Sequence, residues 1–265
     1  DPIYCCAGGG IAMAGANIEV ADRRPAAPED ILPLTVEGLT FEAGGKQILS
    51  RLNFRLEGES QSFIIGPNGA GKSVLLRLCH GLLQPTVGKV VWAATAEAKP
   101  SLQQAMVFQR PVLLRRSVRA NVEYALFVRG IRGPERQRHV TRALEETGLA
   151  NLAEQPARVL SIGEQQRLAL ARVWALHPRV LFLDEPTAHL DPSSTRVVED
   201  IITRIFESGT KIIMTSHDMG QVQRLADEIL FLHGGHLIEQ TSVDQFFSQP
   251  RTREGKLFVE GDLLW

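Results

Sequence analysis

Long apolar runs are missing from this 265-residue chain. Runs such as residues 180–183 and 229–232 fall far short of the roughly 18 residues that a membrane-spanning helix needs. Cysteine is scarce as well: Cys5, Cys6 and Cys79 make an odd count with no Cys-x-x-Cys spacing. That supports neither a disulfide framework nor a zinc site, and it fits a reducing compartment. Charge of one sign is absent, with 29 basic against 30 acidic residues. Residues 1–30 hold five acids and two bases, so the remainder carries a positive excess of only two. An electrostatic footprint for nucleic acid needs much more, and no nucleic-acid partner is expected. Apolar residues at 44% and charged residues at 22% are ordinary globular values that exclude a disordered chain or a coiled coil.

Residues 1–32 read as a tail, with a Gly8-Gly9-Gly10 run, a Pro/Ala stretch at 25–28 and no sustained period. They lack the basic start and apolar core of a secretory signal, and Met13 is available as an internal start. One domain is expected over residues 33–245. Residues 246–265 are expected as a short C-terminal tail, packed on that domain or trailing it.

From Leu34 onward, strand-like pieces alternate with helical ones. Four short apolar runs end at polar residues: Ile65 before Gly66, Phe108 before Gln109, Leu183 before Asp184, and Met214 shortly before His217. Runs apolar on both faces suit a mainly parallel sheet covered by helices, an α/β architecture. Ligands of such sheets bind at the carboxyl ends of the strands, so four polar strand ends predict one shared site. Val74, Leu75, Leu78 and Leu82 have helical spacing, and residues 117–150 read as two helices broken at 130–134. Gly234-Gly235 between two apolar runs predicts a hairpin.

Gly66-Pro67-Asn68-Gly69-Ala70-Gly71-Lys72-Ser73 matches G-x-x-x-x-G-K-[ST], with a strand before it and a helix, opening at Val74, after it. The glycines let successive backbone N–H groups point at phosphate oxygens, and the helix start adds its positive dipole end. Lys72 supplies a point charge to the β- and γ-phosphates, and the Ser73 hydroxyl is a ligand for Mg²⁺. A chance Gly-rich turn is the bland alternative, and the flanking strand and helix argue against it. Asp184, ending a buried strand, reads as holding Mg²⁺ through water, and Glu185 as orienting or deprotonating an attacking water. An acidic turn before Pro186 is the alternative for that pair.

The stretch Leu160-Ser161-Ile162-Gly163-Glu164-Gln165-Gln166-Arg167 narrows the choice. With it, the chain resembles the nucleotide-binding subunits of ABC transporters, whose signature reads Leu-Ser-Gly-Gly-Gln. The resemblance spans residues 34–245 and five ordered motifs: the P-loop, Gln109, the signature, Asp184-Glu185 with the D-loop Asp191, and His217. It implies a P-loop NTPase of RecA-like fold, a mainly parallel sheet with an antiparallel β subdomain and a helical signature subdomain at about 110–165. It implies ATP and Mg²⁺ as cofactors, with Ser73, Gln109 and Asp184 around the metal. Two copies would pack head to tail, so that Ser161, Gly163 and Glu164 of one contact ATP on the P-loop of the other. Lys72, Glu185 and His217 would then carry catalysis, Asp191 would link the two sites, and Phe41 would stack on adenine. Phe41 as plain core, Gln109 as a polar strand cap and His217 as a structural histidine are the alternatives.

Two signature positions depart from the family pattern. Ile162 stands for a glycine, at a cost on the order of 1–3 kcal/mol if that position needs φ > 0 and little otherwise. Glu164 stands for glutamine and places a carboxylate near the triphosphate. Activity is expected to survive both, because Ser161 and Gly163 remain. A single ATPase unit with no membrane span implies separate permease subunits and a solute-binding protein, as in bacterial importers, and a place on the cytoplasmic membrane face. Nine arginines from Arg110 to Arg142 face only Glu123 and Glu135, either as a solvated helical face or as a surface toward the membrane partner. Residues 107–118 look most like tungstate-type oxyanion uptake subunits. An exporter ATPase, an importer ATPase for another small solute, and a non-transport ABC ATPase are the rival readings.

Overall fold

The computed structural model describes residues 31–58, 60–93 and 100–261. Cys5, Cys6 and the rest of 1–30 lie outside the described residues, as do the last four of the C-terminal segment.

The chain opens with β1 (Leu34–Ala43) and β2 (Lys46–Leu56), followed by β3 (Ser62–Ile65), α1 (Lys72–His80) and β4 (Val87–Trp92). Next come β5 (Gln104–Val107), α2 (Val118–Val128), α3 (Gly133–Glu146) and α4 (Ile162–Leu176). Then β6 (Val180–Asp184), α5 (Pro192–Glu207), β7 (Lys211–Thr215) and α6 (Met219–Leu225) alternate. The hairpin β8 (Glu228–His233) and β9 (His236–Ser242) leads into α7 (Val243–Ser248) and α8 (Arg253–Glu260).

Two sheets result. The first is antiparallel, in the order β2-β1-β4; the second has six strands in the order β5-β6-β7-β3-β8-β9, parallel except for its edge strand β9. Burial explains the choice: β3, β6 and β7 are buried at every position, the pattern of strands covered on both faces. Their side chains alternate between two cores. Phe63, Ile65, Leu181, Leu183, Ile212 and Met214 pack toward α2, α4 and α5. Ile64, Phe182 and Ile213 pack toward α1 and the antiparallel sheet. Helix α5 fits its side through Val198, Ile201, Ile202 and Ile205, all buried at helical spacing.

Both ends of the packed unit differ from the expected boundaries in detail. Ile31 and Leu32, the last residues of the expected tail, are buried in the second core, and the backbone N–H of Ala93 donates to the Ile31 carbonyl. Beyond residue 245, Phe246 is fully buried, and the Phe258 ring lies 4.9 Å from that of Phe231. Two short helices therefore occupy that segment, held by an aromatic cluster. Cys79 is buried, which pushes its thiol up to about 12 and keeps it protonated.

The strand order sets up the site. Neighbouring carboxyl ends bring Gln109 after β5, Asp184 and Glu185 at β6, His217 after β7 and Gly66 after β3 to one edge. The opposite edge holds a buried cation: Lys211 donates to the Ser60 carbonyl at 2.5 Å and to the Ser60 and Ser62 hydroxyls, each at 2.8 Å. Burial lowers its pKa to about 8, against the pull of Glu228, Asp227 and Glu57. An unfolded lysine titrates near 10.5, so between these values the unfolded chain holds more protons and stability rises with pH. Denaturation between pH 8 and 10.5 should show wild type gaining about 3 kcal/mol relative to Lys211→Met. A difference that stays flat across that window would contradict a buried, proton-releasing lysine.

Candidate functional site

The loop from Gly66 to Lys72 is shaped by what surrounds it. Gly66 has φ 143°, and a Cβ there would lie 2.0 Å from the Leu232 carbonyl oxygen, so only glycine fits. Gly71 has φ 97° and packs against Leu49 of β2, where a Cβ would meet a methyl at 2.5 Å. The Ala70 N–H donates to the Pro67 carbonyl at 3.2 Å, closing the turn, while Asn68 and Gly69 face solvent. Gly71 caps α1 without a side-chain hydrogen bond, and no acid occupies the first turn. The N–H groups of Ser73 and Val74 thus open an anion site at the helix start. Lys72 is buried and donates to the carbonyls of Gly66 (2.8 Å) and Pro67 (3.1 Å). Burial lowers its pKa, opposed by Glu185 and Asp184. Phe41, half-buried on β1, is the register partner of Leu49, which places it beside the loop.

Five side chains converge on the acidic pair. The Ser73 hydroxyl donates to Asp184 Oδ1 at 2.7 Å, Thr215 Oγ1 donates to the same oxygen at 3.0 Å, and Arg77 lies 3.7 Å from Oδ2. Asp184 is almost fully buried, so these partners offset its desolvation. Glu185 has φ 45°, a left-handed conformation costing on the order of 1–3 kcal/mol for a non-glycine residue. Its N–H is held by Thr215 Oγ1 at 2.9 Å. Its Oε2 lies 3.1 Å from His217 Nδ1 and accepts from Gln109 Nε2 at 3.4 Å. Gln109 therefore reaches Glu185 rather than the oxygens of Ser73 and Asp184. The edge gathers a phosphate cradle, a buried carboxylate and a second carboxylate against an imidazole, a set suited to binding a polyphosphate and directing water at it.

The signature residues form a separate cluster. Ser161 caps α4: its hydroxyl accepts from the Glu164 N–H at 3.3 Å, and Glu164 Oε2 accepts from the Ser161 N–H and hydroxyl, each at 2.8 Å. These bonds hold the Glu164 carboxyl below the usual carboxylate range. Ile162 is the first helical residue, has no positive φ and is 62% exposed, so the glycine-to-isoleucine departure carries no backbone strain. Gly163 is the constrained position, because a Cβ there would lie 2.8 Å from Ser194 Oγ and 3.0 Å from Ser194 Cβ. Ser194 belongs to the turn capped by Asp191, which accepts from the N–H and hydroxyl of both Ser193 and Ser194. Those bonds drive the Asp191 carboxyl far below its ordinary value. Among the described residues no hydrogen bond joins residues 160–164 to residues 66–73.

The family model described as "ABC transporter" matches residues 49–188. Tungstate uptake system ATP-binding protein TupC of Peptoclostridium acidaminophilum is 37% identical over 217 residues, covering 82% of this chain and all of that protein. Phosphate import ATP-binding protein PstB 2 of Natronomonas pharaonis is 35% identical over 249 residues, 88% of each chain. Among solved structures, cbiO1 from Clostridium perfringens, part of the ABC transporter complex cbiONQ, superposes with a TM-score of 0.73 at 29% identity. It covers 87% of this chain and 99% of that one. The fold is that of an ABC-type ATP-binding domain with its parallel and antiparallel sheets. The chain belongs to the ABC transporter family and is an ATPase.

Two features of the site are new with the structure: the capping box of Ser161 and Glu164, and the part played by Thr215. The Ser161-x-x-Glu164 spacing is a capping-box pattern and was readable. Thr215, whose hydroxyl serves both Asp184 and Glu185, has no local signal that marks it. Ile162→Gly should change ATP turnover less than threefold, whereas Gly163→Ala should cost about 1–3 kcal/mol through overpacking against Ser194. Turnover assays and chemical denaturation check both. A tenfold faster Ile162→Gly protein would contradict the strain-free helix entry.

Proposed function

We propose that this chain is the ATP-hydrolysing subunit of a membrane importer for a small tetrahedral oxyanion, phosphate or tungstate. The observation that carries the hydrolytic part is Glu185 held between Thr215, His217 and Gln109 at the strand edge beside the phosphate loop. In this reading Gly66 to Val74 hold the ATP phosphates, Lys72 turns from the Gly66 and Pro67 carbonyls to the β- and γ-phosphates, and Phe41 packs on adenine. Glu185 takes a proton from the attacking water, and His217 keeps that carboxylate aimed and contacts the γ-phosphate. Gln109 senses whether the γ-phosphate is present through its bond to Glu185.

The residues suit Mg²⁺. Ser73 and Asp184 are hard oxygen donors 2.7 Å apart, and Mg²⁺ prefers one or two protein ligands plus substrate phosphates. Ser73 and Asp184 would hold it, and with ATP bound it would supply positive charge to offset that of the phosphates. Gln109, expected as a third ligand, is turned to Glu185 instead.

The second half of the ATP site comes from another copy. Ser161 is exposed, and residues 160–164 have no hydrogen bond to their own phosphate loop among the described residues. A head-to-tail homodimer would bring Ser161, Gly163 and Glu164 onto the partner's ATP, with Asp191 shaping the contact through α5.

Permease subunits and a solute-binding protein complete the system. No helix among the described residues is long and apolar enough to cross a membrane. Val112 (77% exposed) lines a cavity of about 270 Å³ together with Phe108, Ala125, Arg129 and Arg172, and Phe127 and Val128 of α2 are exposed as well. Arg115 and Arg116 are exposed, a few residues after Val112 in the chain. This side would face the permease at the cytoplasmic surface of the membrane. Some arginines are already engaged: Arg119 with Glu154, Arg116 over Tyr124 and Arg132 over Phe127.

The cargo class rests on relatives whose names specify phosphate import and tungstate uptake. Cells carrying Lys72→Ala in the chromosomal gene should lose at least tenfold of their uptake of labelled phosphate or of tungstate. Wild-type uptake of both anions would overturn the oxyanion assignment.

A further inference from the structure

The two side chains read as hydrolytic, Glu185 and His217, sit on loops far apart in sequence. Thr215 ties those loops together on the strand side. A second tie lies on the far side, and it belongs to a residue outside every motif so far described.

Gln221 of α6 is fully buried. Its Nε2 donates to Thr187 Oγ1 at 2.9 Å and to Glu199 Oε1 at 3.0 Å, and its Oε1 accepts from Ser216 Oγ at 2.9 Å. Its backbone N–H donates to Asp218 Oδ1 at 3.1 Å. Thr187 is two residues past Glu185, and Ser216 directly precedes His217. Glu199, itself buried, lies on α5 and pairs with Arg224 at 2.7 Å. One neutral amide thus bridges the loop carrying Glu185, the loop carrying His217 and the helix that begins at Asp191.

We infer that Gln221 is a positioning residue for ATP hydrolysis, fixing the Glu185–His217 pair by clamping Thr187 to Ser216. The chemistry accounts for the residue type. The position needs two donors and an acceptor in a dry site, which an amide supplies without charge. A glutamate there would set a second carboxylate against Glu199. A purely apolar side chain would leave the buried Ser216 hydroxyl without its acceptor and take one hydrogen bond each from Thr187 and Glu199. The low cost of misplacing a loop by a fraction of an ångström in binding contrasts with its large cost in turnover. Among the described residues Gln221 makes no hydrogen bond to the phosphate loop, so its loss should act on turnover and spare nucleotide affinity.

The inference rests on the reading of Glu185 and His217 given above, and the test separates the two. ATP turnover, KM and the affinity for a fluorescent ATP analogue are measured for wild type, Gln221→Met and Glu185→Gln. Gln221→Met should lose at least tenfold in kcat while its nucleotide affinity stays within twofold, and Glu185→Gln should lose turnover altogether. Turnover of Gln221→Met within twofold of wild type, beside an inactive Glu185→Gln, would overturn this inference alone. Proportional loss of kcat and affinity would overturn it too, as the mark of a merely structural residue. Full turnover in Glu185→Gln would overturn the reading beneath it. If Gln221→Met does not fold, Ser216→Ala removes one arm of the same clamp, with a three- to tenfold loss of kcat expected and an unchanged kcat overturning the inference.

Discussion

A carboxylate that cannot be left bare governs this ATPase core. Asp184 ends a strand buried on both faces, and desolvation would neutralise or expel it without partners. The Ser73 hydroxyl from the phosphate loop and the Thr215 hydroxyl from the adjacent strand supply them. Because Asp184 and Thr215 are register partners across the β6–β7 pair, a slip of one residue would break the contact. The same Thr215 oxygen accepts the N–H of Glu185 and so sustains the left-handed backbone that turns Glu185 toward His217. Strand register, loop strain and the placement of the second carboxylate are one linked arrangement.

Much of this was legible from residue patterns. Apolar runs ending in Gly66, Asp184 and His217 give buried parallel strands whose carboxyl ends share an edge, and the order β5-β6-β7-β3 brings those residues side by side. The helical spacing after Ser73, the break near residue 130 and the Gly234-Gly235 hairpin all correspond to elements of the fold. What sequence could not display is bonding between positions remote in the chain. Thr215 and Gln221 are small or neutral polar residues whose partners lie about thirty residues away, and no period or motif singles them out. The left-handed φ at Glu185 is likewise imposed by its surroundings, since glutamate has no preference for it.

The signature segment shows how local and distant demands divide. Ile162 departs from glycine at a position where the backbone is ordinary and the side chain faces solvent, so nothing is lost. Gly163 stays because α5 crowds it, a constraint that comes from packing and not from backbone angles. Glu164 engages the Ser161 hydroxyl in a capping box, so in the proposed dimer that hydroxyl would exchange an internal partner for a phosphate oxygen. Asp191 caps the neighbouring helix with four hydrogen bonds of its own. The signature is therefore a helix start capped by its own side chains, which the proposed function would place on a partner's nucleotide.

In the proposed function each chain carries two half-sites, hydrolytic and signature-bearing, which meet only between copies. Light scattering of Glu185→Gln protein with and without ATP and Mg²⁺ tests it most directly, because removing the carboxylate read as activating water should trap the closed state. The account predicts a shift from one chain mass to two on adding ATP. A mass that stays at one chain while ATP is bound would contradict it.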